Sequence, residues 1–481
     1  MKLTKPSGDP TVLPVSLRPS AIAPSARGAL GCAVAALLAL PFASRAAEVT
    51  EVADAMDEGK PIQLNLDVAY RHVKKDTRLS RENLQSGAIT LVDELQHAQT
   101  TDELAFRLAI GLFHDLELHV FAPLVLRELQ TWDYATVNGQ SVEANSTLKN
   151  NHLDISGCLK AGTCSAAGAP TPIVPTPGRT QRRGFRHPTV GVAWGPINEE
   201  REARLRPELF PPGKPVSTWV IGFDYTLPLP GDVDDPSKFG AASLATPGAP
   251  GAPIGKEAKK AHVFTLWTAF SKRFKVVDPY VVVKASAPLA VKSNGVGDGA
   301  YDNCWHPEQL SDVATANCAS DQWKNKTGYQ PPYEASFTVG TELALYEDAR
   351  GKQKVALDVH GDVHYVGPGR TYTEIADALG KLTYSDEHVG GSASIGLYGR
   401  AASWLQVRIA ASAGVESAHF ITTEPIGKDV NGDGRITISN GSGGSIEQSP
   451  TYDFRLDQVG HRLRAEPAIS WGISGTLALT F

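Results

Sequence analysis

The sequence has no apolar stretch long enough for a membrane-spanning helix. Such a helix needs roughly 20 apolar residues to cross the hydrocarbon core, and the longest uncharged apolar run extends only from Gly28 to Phe42. An excess of one charge is also missing, since 46 Lys and Arg stand against 52 Asp and Glu, for a net charge of −6. This balance gives no reason to expect a nucleic-acid partner.

Familiar catalytic signatures are absent as well. The chain contains neither a Gly-x-Ser-x-Gly hydrolase elbow nor a phosphate-binding Gly-Lys-Ser/Thr loop. Cysteine is scarce, and beyond Cys32 the remaining four form two local pairs, Cys158 with Cys164 and Cys304 with Cys318. This spacing predicts two small disulfide loops in an oxidising compartment, because a zinc site would want closer Cys-x-x-Cys spacing and His partners.

The N-terminus carries the features of an export signal. Basic residues, among them Arg18 and Arg27, precede the apolar run 28–42, and Ser44-Arg45-Ala46 follows it. The pattern predicts a secretory signal peptide, 1–46, that is cut after about Ala46. A short periplasmic N-terminal segment, 47–61, comes next, and residues 48–60 are expected to form a short helix before Pro61.

The rest of the chain is dominated by alternation of apolar and polar residues. In the last stretch Ile469, Trp471 and Ile473 share one face, while Ser470, Gly472 and Ser474 share the other. This period of two predicts β-strands with one apolar and one polar face. Twelve such strands are predicted, at 62–72, 103–113, 116–127, 187–197, 217–228, 261–272, 280–290, 334–346, 354–365, 389–400, 403–416 and 469–481.

The connections between these strands distinguish two folds. A soluble sandwich also has alternating strands, but its Greek-key connections would not keep the long loops at one end through six hairpins. Here long and short connections alternate, which is typical of outer-membrane barrels with short periplasmic turns and long extracellular loops. The sequence therefore predicts an all-β fold, a transmembrane antiparallel up-and-down β-barrel of about 12 strands over 62–481. Aromatic residues near strand ends are expected to form girdles at the membrane interfaces: Tyr70, Phe113, Trp132, Trp194, Tyr280, Tyr346, Tyr398, Trp404 and Phe481.

On these features the chain resembles Gram-negative outer-membrane β-barrel proteins of the porin-like kind, over roughly 62–481. The cleavable leader, the alternating strands and the terminal pattern Ile473-x-x-x-Leu477-x-Leu479-x-Phe481 carry the resemblance. The terminal pattern looks like the signal that the barrel assembly machinery reads. The resemblance implies export, insertion into the lipid of the outer membrane by that machinery, and no particular solute.

The predicted interior face carries charges of both signs. On the ninth strand Asp358, His360, Asp362 and His364 recur at every second position, so neighbouring side chains stand about 7 Å apart. Such a row suits either a metal site or proton relay, or simply the wall of a hydrated lumen. The expected pore-lining residues are Arg107, Glu117, His119, Glu342, Asp358, His360, Asp362, His364 and Arg408.

A second motif lies in the long connection before the last strand. Asp429, Asn431, Asp433 and Gly434 match the first half of a calcium loop, in which oxygen ligands occupy positions one, three and five. Asn440 stands where such a loop has its bidentate Glu. The pattern fits either a calcium site that stiffens an extracellular loop or an ordinary Asp/Gly-rich turn.

Taken together, these features predict a non-enzymatic outer-membrane channel for passive or ligand-selective diffusion of small solutes, with no required cofactor. Two alternatives stay open. One is a plugged barrel that acts as a surface anchor or binding module through disulfide-pinned loops. The other is an outer-membrane lipid hydrolase, for which the sixth strand offers His262 and Ser271, because such hydrolases carry their Ser and His on the lipid-facing side.

Overall fold

The computed structural model describes most of the chain after the leader. The described residues are 47–56, 61–85, 87–150, 174, 176, 178–211, 214–228, 261–291, 323, 326–348, 353–379, 382–437 and 447–481. The predicted leader and the four cysteines Cys158, Cys164, Cys304 and Cys318 lie outside these ranges. The two disulfide loops therefore stay predictions.

Twelve antiparallel strands form a closed barrel among the described residues. Each strand pairs with its neighbours in sequence, and β1 pairs with both β2 and β12, which closes the sheet. The predicted fold class is confirmed. The strands are β1 Leu64–Gln85, β2 Ala88–Phe113, β3 Leu116–Tyr134, β4 Thr189–Asn198, β5 Val216–Thr226, β6 Ala261–Arg273, β7 Val277–Ala290, β8 Glu334–Glu347, β9 Lys354–Val366, β10 His388–Ala402, β11 Leu405–Glu416 and β12 Ala468–Thr480.

The remaining elements are short and lie between the barrel strands or before the first one. The strands outside the barrel, two to eight residues long, are Thr136–Val137, Gln140–Ser141, Gly178–Phe185, Gly369–Thr371, Thr383–Ser385, His419–Phe420 and Leu463–Ala465. The α-helices are Thr147–Asn150, Glu199–Leu205, Ala376–Leu379 and Phe454–Asp457, and the 3₁₀ turns are Glu48–Thr50, Val142–Asn145 and Pro207–Leu209. None of the helices in the described ranges has the length and apolar content that crossing a membrane would require.

The outer face of the barrel is apolar and exposed. On β12, for example, Ile469 is 63% exposed and Ile473 is 52% exposed, although both are large aliphatic side chains. Water-soluble monomers rarely expose contiguous apolar surface on this scale, whereas lipid covers such a belt in transmembrane barrels. The architecture is that of an outer-membrane β-barrel.

The aromatic residues at the strand ends divide between the two faces. At the end with the short turns, five aromatic residues are between 48% and 66% exposed, as expected for an interfacial girdle: Phe113, Trp194, Tyr346, Trp404 and Phe481. The girdle prediction is wrong for a second group that points into the interior and is at most 8% exposed: Trp132, Tyr280 and Tyr398. Their phenol or indole groups find hydrogen-bond partners inside, which an aromatic ring on the lipid face would lack.

The first hairpin differs from the sequence-based prediction. The long connection expected between the first two strands is a continuation of both, since β1 and β2 stay paired up to Gln85 and Ala88. The alternation is hard to read over 73–102 because many of these residues are polar on both faces. Beyond the lipid belt an apolar outer face is no longer needed, yet the backbone ladder continues.

The end of the barrel opposite the short turns is covered by a cap with its own apolar core. The extended parts of β1, β2 and β3 contribute Leu79, Leu95 and Trp132, which are at most 1% exposed. Loop residues complete this core: Leu148, Val174, Ile375, Ala378, Ile421, Leu456 and Leu463. A short helix, Ala376–Leu379, follows Glu374 in this cap.

We expect a charge on the outer belt to destabilise the barrel strongly. Ile473→Lys places an ammonium group near the middle of the lipid-facing side of β12, where it should lower the free energy of unfolding by roughly 2–4 kcal/mol. Val430→Lys, on an exposed loop, should change it by less than about 0.5 kcal/mol. Urea unfolding of the protein in lipid vesicles measures both values. Equal effects of the two substitutions would contradict a lipid-covered belt.

Candidate functional site: the barrel interior and the segment that closes it

The described residues 47–56, here called the N-terminal segment, lie inside the barrel at the end with the short turns. Ala47, Ala53 and Ala55 are fully buried, and Ala55 forms a bridge with His114 in the β2–β3 turn. The short helix expected here is reduced to one 3₁₀ turn, Glu48–Thr50. The segment is extended elsewhere because its backbone and side chains bond to the barrel wall, as the following contacts describe.

The Arg408 cluster holds the segment on one side. It consists of Arg408, Asp358, Tyr280 and His360 on the wall, together with Glu48 of the segment. Arg408 donates to Glu48 Oε2 at 2.8 Å and to Asp358 Oδ2 at 2.5 Å. Asp358 also accepts from Tyr280 Oη at 2.7 Å and lies 2.9 Å from His360 Nδ1. Asp358 is therefore committed to three partners.

Small residues make room for this cluster. Gly340 on β8 lies between two of its members, and a Cβ atom there would come within 2.5 Å of Tyr280 Oη and 2.6 Å of His360 Cβ. Gly111 on β2 plays the same part beside the segment, since a Cβ atom would lie 2.0 Å from the carbonyl oxygen of Asp54. Glycine is needed at both positions because backbone or bulky rings occupy the space of a side chain.

Further contacts hold the backbone and side chains of the segment on β6, β8 and β10. The amide N–H of Glu48 donates to Glu342 Oε1 at 2.5 Å, and Lys354 Nζ donates to the other oxygen of Glu342 at 2.9 Å. Thr50 Oγ1 lies 2.9 Å from Ser271 Oγ. Arg400 Nη2 donates to Glu51 at 3.1 Å.

The Glu117 cluster holds the segment on the other side. It consists of Glu117, Arg107, His119 and Asp224. Glu117 Oε2 accepts the amide N–H of Ala53 at 2.7 Å, and its other oxygen is paired with Arg107. His119 bridges Glu117 and Asp224, with ring nitrogens 3.0 Å and 2.9 Å from the two carboxylates. The wall residues predicted to line the lumen therefore bind a part of the chain itself.

Carboxylates crowd the Arg408 cluster. Burial raises the pKa of Glu48 to about 7, and the negative charges of Glu342, Glu51 and Asp358 act in the same direction, against the opposing charge of Arg408. Burial is the largest cause of this shift, because the charged form of a carboxyl group loses its hydration, and the neighbouring carboxylates add to it.

The interior above the Arg408 cluster is more open. Asp362 accepts from Thr338 Oγ1 at 2.9 Å, and His364 Nδ1 lies 3.4 Å from Asp362 Oδ1. The two side chains of this loose pair are 24% and 32% exposed, although they point into the barrel. They therefore face a hydrated part of the lumen.

The predicted row on β9 does share the interior face, but it is not arranged as a metal site. Asp358 and His360 belong to the Arg408 cluster, while Asp362 and His364 form their separate pair. Within the described part of the chain, His, Cys, Asp and Glu side chains nowhere gather in threes around a position for a metal ion. The hydrated-wall alternative describes these four residues better than metal ligation does.

The calcium motif forms a tight loop whose oxygens bond to its own backbone. Asp429 accepts the amide N–H groups of Gly432 and Gly434 at 2.6 and 2.7 Å, and Asn431 accepts that of Asp433 at 2.8 Å. Asp433 in turn accepts from Arg435. Asn440 lies outside the described residues. Calcium binding at Asp429, Asn431 and Asp433 stays a prediction.

A cavity of about 220 Å³ runs beside the segment at the same end. The segment contributes Glu51 and Asp54 to its lining, and the wall contributes Asp67, Arg107 and Thr476. The Arg107 and Asp67 side chains pair at 3.3 Å but stay 34% and 25% exposed. The segment therefore fills the barrel mouth incompletely and leaves a polar recess along β1 and β12.

A group of polar side chains lies on the outer face of the barrel, where the sequence pattern predicts apolar residues. A β-bulge opposite Asp102 and Glu103 lets two residues of β3 share the outer face, so Arg127 points outward and donates to Asp102 Oδ2 at 3.0 Å. His72 Nδ1 lies 2.7 Å from the same carboxylate, and Tyr70 donates to it at 2.9 Å. Period-two alternation does not predict this outward polar group, because His72 and Asp102 are polar residues on a face that the pattern expects to be apolar.

The residues considered for a lipid hydrolase do not meet. Ser271 points into the barrel and contacts Thr50, whereas His262 is an odd number of positions away on the same strand and stacks on Tyr225. Successive strand residues alternate between faces, so these two side chains lie on opposite sides of the sheet. They cannot form one active site.

The fold is similar to solved outer-membrane barrels at low sequence identity. An outer membrane channel from Pseudomonas putida F1 is 10% identical, covering 90% of this chain and 100% of that chain with a TM-score of 0.39. A Pseudomonas aeruginosa FadL homologue is 9% identical, covering 87% and 90%, with a TM-score of 0.29. The outer membrane protease OmpT from Escherichia coli is 7% identical, covering 87% and 97%, with a TM-score of 0.27.

No protein-family model and no curated protein matches the chain. At TM-scores this low, likeness to channels and to a protease decides nothing about activity.

We expect Glu117→Ala to loosen the N-terminal segment. The substitution removes the acceptor of the Ala53 amide and leaves Arg107 and His119 without their shared carboxylate, which should raise the exposed population of the segment roughly tenfold or more. A glutamate-specific protease reports this as faster cleavage after Glu51, followed by mass spectrometry. Glu416→Ala, which removes a partner of Lys75 near the cap, should leave this rate unchanged. Equal rates in both variants and the unaltered protein would show that Glu117 does not hold the segment.

Proposed function

We propose that the protein is an outer-membrane channel for small polar or charged solutes, with the N-terminal segment as its constriction. The observation that carries the proposal is the exposure of charged side chains inside the barrel, between its two ends. Arg71, Asp362 and His364 are between one quarter and one half exposed although they face inward. A barrel that served only as a rigid anchor would not need an interior lined with partly exposed charges.

The route follows the polar recess beside the segment. A solute that reaches the recess meets Asp67, Arg107 and Glu51, so charges of both signs are available to it. Such a lining favours hydrated solutes over apolar ones, because a charged wall in a narrow lumen sets selectivity by electrostatics. Asp362 and His364 on β9 line the wall above the constriction.

Residues 1–46 act in this proposal as an export signal that is removed, and the barrel assembly machinery inserts the remaining chain into outer-membrane lipid. The outward belt supplies the lipid contact. Calcium at Asp429, Asn431 and Asp433 and disulfides in the loops would stiffen the extracellular side and take no part in conduction.

Single-channel recording in planar bilayers tests the channel and the constriction together. We expect stable conductance steps for the unaltered protein, and steps several times larger after deletion of residues 48–55. The matched control deletes residues 429–434, which lie in an external loop and should leave the step size unchanged. If neither the unaltered protein nor the 48–55 deletion gave conductance steps, the channel proposal would be contradicted.

Ion selectivity tests the wall above the constriction. Asp362→Ala removes a partly exposed negative charge from the lumen, so we expect the ratio of cation to anion permeability to fall, and to fall less at high salt, where charges are screened. Asp93→Ala, which removes a carboxylate bonded to Ser80 in the extended hairpin, serves as the control. Reversal potentials across a salt gradient measure the ratio, and no shift for Asp362→Ala would remove β9 from the pore wall.

A second candidate function follows from the cap. Its apolar core is fully buried at Leu79, Leu95 and Ile421, and Lys75 Nζ ties it to the barrel by donating to Glu374 and Glu416 at 3.0 and 2.6 Å. Burial opposes ionisation, but Lys75, His97 and His419 hold the pKa of Glu374 well below its usual value. A cap held in place by this core and these ion pairs suits a plugged barrel that presents a binding surface.

A further inference from the structure

Asp278, at the short-turn end of β7, is a buried carboxylate to which no side chain of the described residues donates a hydrogen bond. It is 3% exposed, and within the described part of the chain neither of its oxygens has a hydrogen bond of good geometry. Two cations lie nearby, and each also bonds to another carboxylate: Arg273 donates to Glu347 at 2.5 Å and Lys354 donates to Glu342 at 2.9 Å. A carboxylate in such surroundings is costly unless a positive group joins it.

The residue that approaches Asp278 is the first described residue of the chain. Asp278 pairs across the sheet with Glu342, which accepts the amide N–H of Glu48, so the backbone nitrogen of Ala47 lies close to the Asp278 carboxylate. Ala47 itself is fully buried. Its position is fixed by the bond from the Glu48 amide to Glu342 and by the 2.9 Å bond from the Thr50 amide to the Ala47 carbonyl. The nitrogen of residue 47 is therefore held at one place in the wall.

The predicted cleavage site gives that nitrogen a charge. Hydrolysis of the peptide bond after Ala46 breaks the bond from the Ala46 carbonyl carbon to the Ala47 nitrogen. Water supplies the hydroxyl that completes the Ala46 carboxyl group and the hydrogen that completes the Ala47 amine. The amine then takes up a proton from solvent, and a neighbouring carboxylate favours its charged form.

We propose that the α-ammonium group of Ala47, released by removal of the leader, is the missing cation at Asp278 and locks the N-terminal segment into the barrel mouth. The proposal rests on the leader removal stated under the proposed function, and it is independent of conduction. An ammonium group carries three N–H donors, enough for both oxygens of Asp278.

The charge distribution supports this assignment. Glu48, Glu51, Glu342 and Asp358 already compete for Arg400, Arg408 and Lys354. A further positive charge at Asp278 relieves that competition. A chain cut at another position would present Asp278 with an uncharged amide or with an amine out of reach, so docking of the segment reports correct processing.

The test uses the full chain, exported with its own leader and purified from outer membranes. N-terminal sequencing should give Ala47 as the first residue. The folded protein is then treated with an amine-acetylating reagent, and mass spectrometry of the N-terminal peptide gives the rate at which the α-amine reacts. We expect this rate to be at least tenfold lower in the folded protein than after heat denaturation in detergent.

Two variants make the partner specific. Asp278→Asn should raise the folded-state rate at least tenfold, whereas Asp362→Asn, which also removes an interior carboxylate, should not. Insertion of one Gly between Ala46 and Ala47 displaces the amine without changing the wall, and should raise the rate even if Asp278→Asn fails to fold. Retained heat-modifiability on gels shows that a variant is folded.

Three results would overturn the proposal: a first residue other than Ala47, an Ala47 amine as reactive in the folded as in the denatured protein, or full protection retained in the Gly insertion. Failure of conduction would leave all three readouts intact, so the two proposals can fail separately.

Discussion

The structure depends on pairing every backbone N–H and C=O of a sheet whose outside is bathed in lipid. An open edge in hydrocarbon would strand these groups, so the sheet must close on itself, and it does so where β1 meets β12. Closure then dictates the side chains. Alternate residues must be apolar outside, and their neighbours are forced into a narrow interior in which polar groups can bond only to one another or to water.

That confinement explains why the interior is a set of linked ion pairs. Asp358 bonds to Arg408 and Tyr280, and Glu117 bonds to Arg107 and a backbone amide of the segment. A buried ion pair yields little net stability because desolvation is costly, yet breaking one is strongly destabilising. The pairs therefore fix which chain enters the barrel mouth and in which position, more than they add to the stability of the barrel.

Much of the fold could be predicted from the sequence because the strand pattern is local. All twelve predicted strands are present, because lipid on one face and water on the other require period-two alternation over about ten residues. The prediction failed beyond the membrane, where the outer face of a strand no longer needs to be apolar. The polar continuation of β1 and β2 reads as a loop, and a bulge beside Asp102 turns Arg127 outward, which no count of alternate residues reveals.

The candidate site could be predicted only in part. The inward positions of Asp358, Glu342 and Glu117 followed from strand phase, but their partners in the segment did not. Glu48 contacts Glu342 and Arg408 from about 300 or more positions away in the chain, and no periodicity connects them. Tyr280 was missed because an aromatic residue near a strand end looks like an interfacial anchor until its hydroxyl is seen to need Asp358.

The binding site of the N-terminal segment has a consequence for assembly. Its contacts come from β2, the β2–β3 turn, β3, β6, β8, β10 and β11, so the site does not exist until nearly the whole wall has formed. A molecule stalled with a few strands inserted would leave its leading end loose in the periplasm, where proteases could remove it. The docked N-terminal segment would thereby distinguish finished barrels from unfinished ones, which would be open to proteolysis.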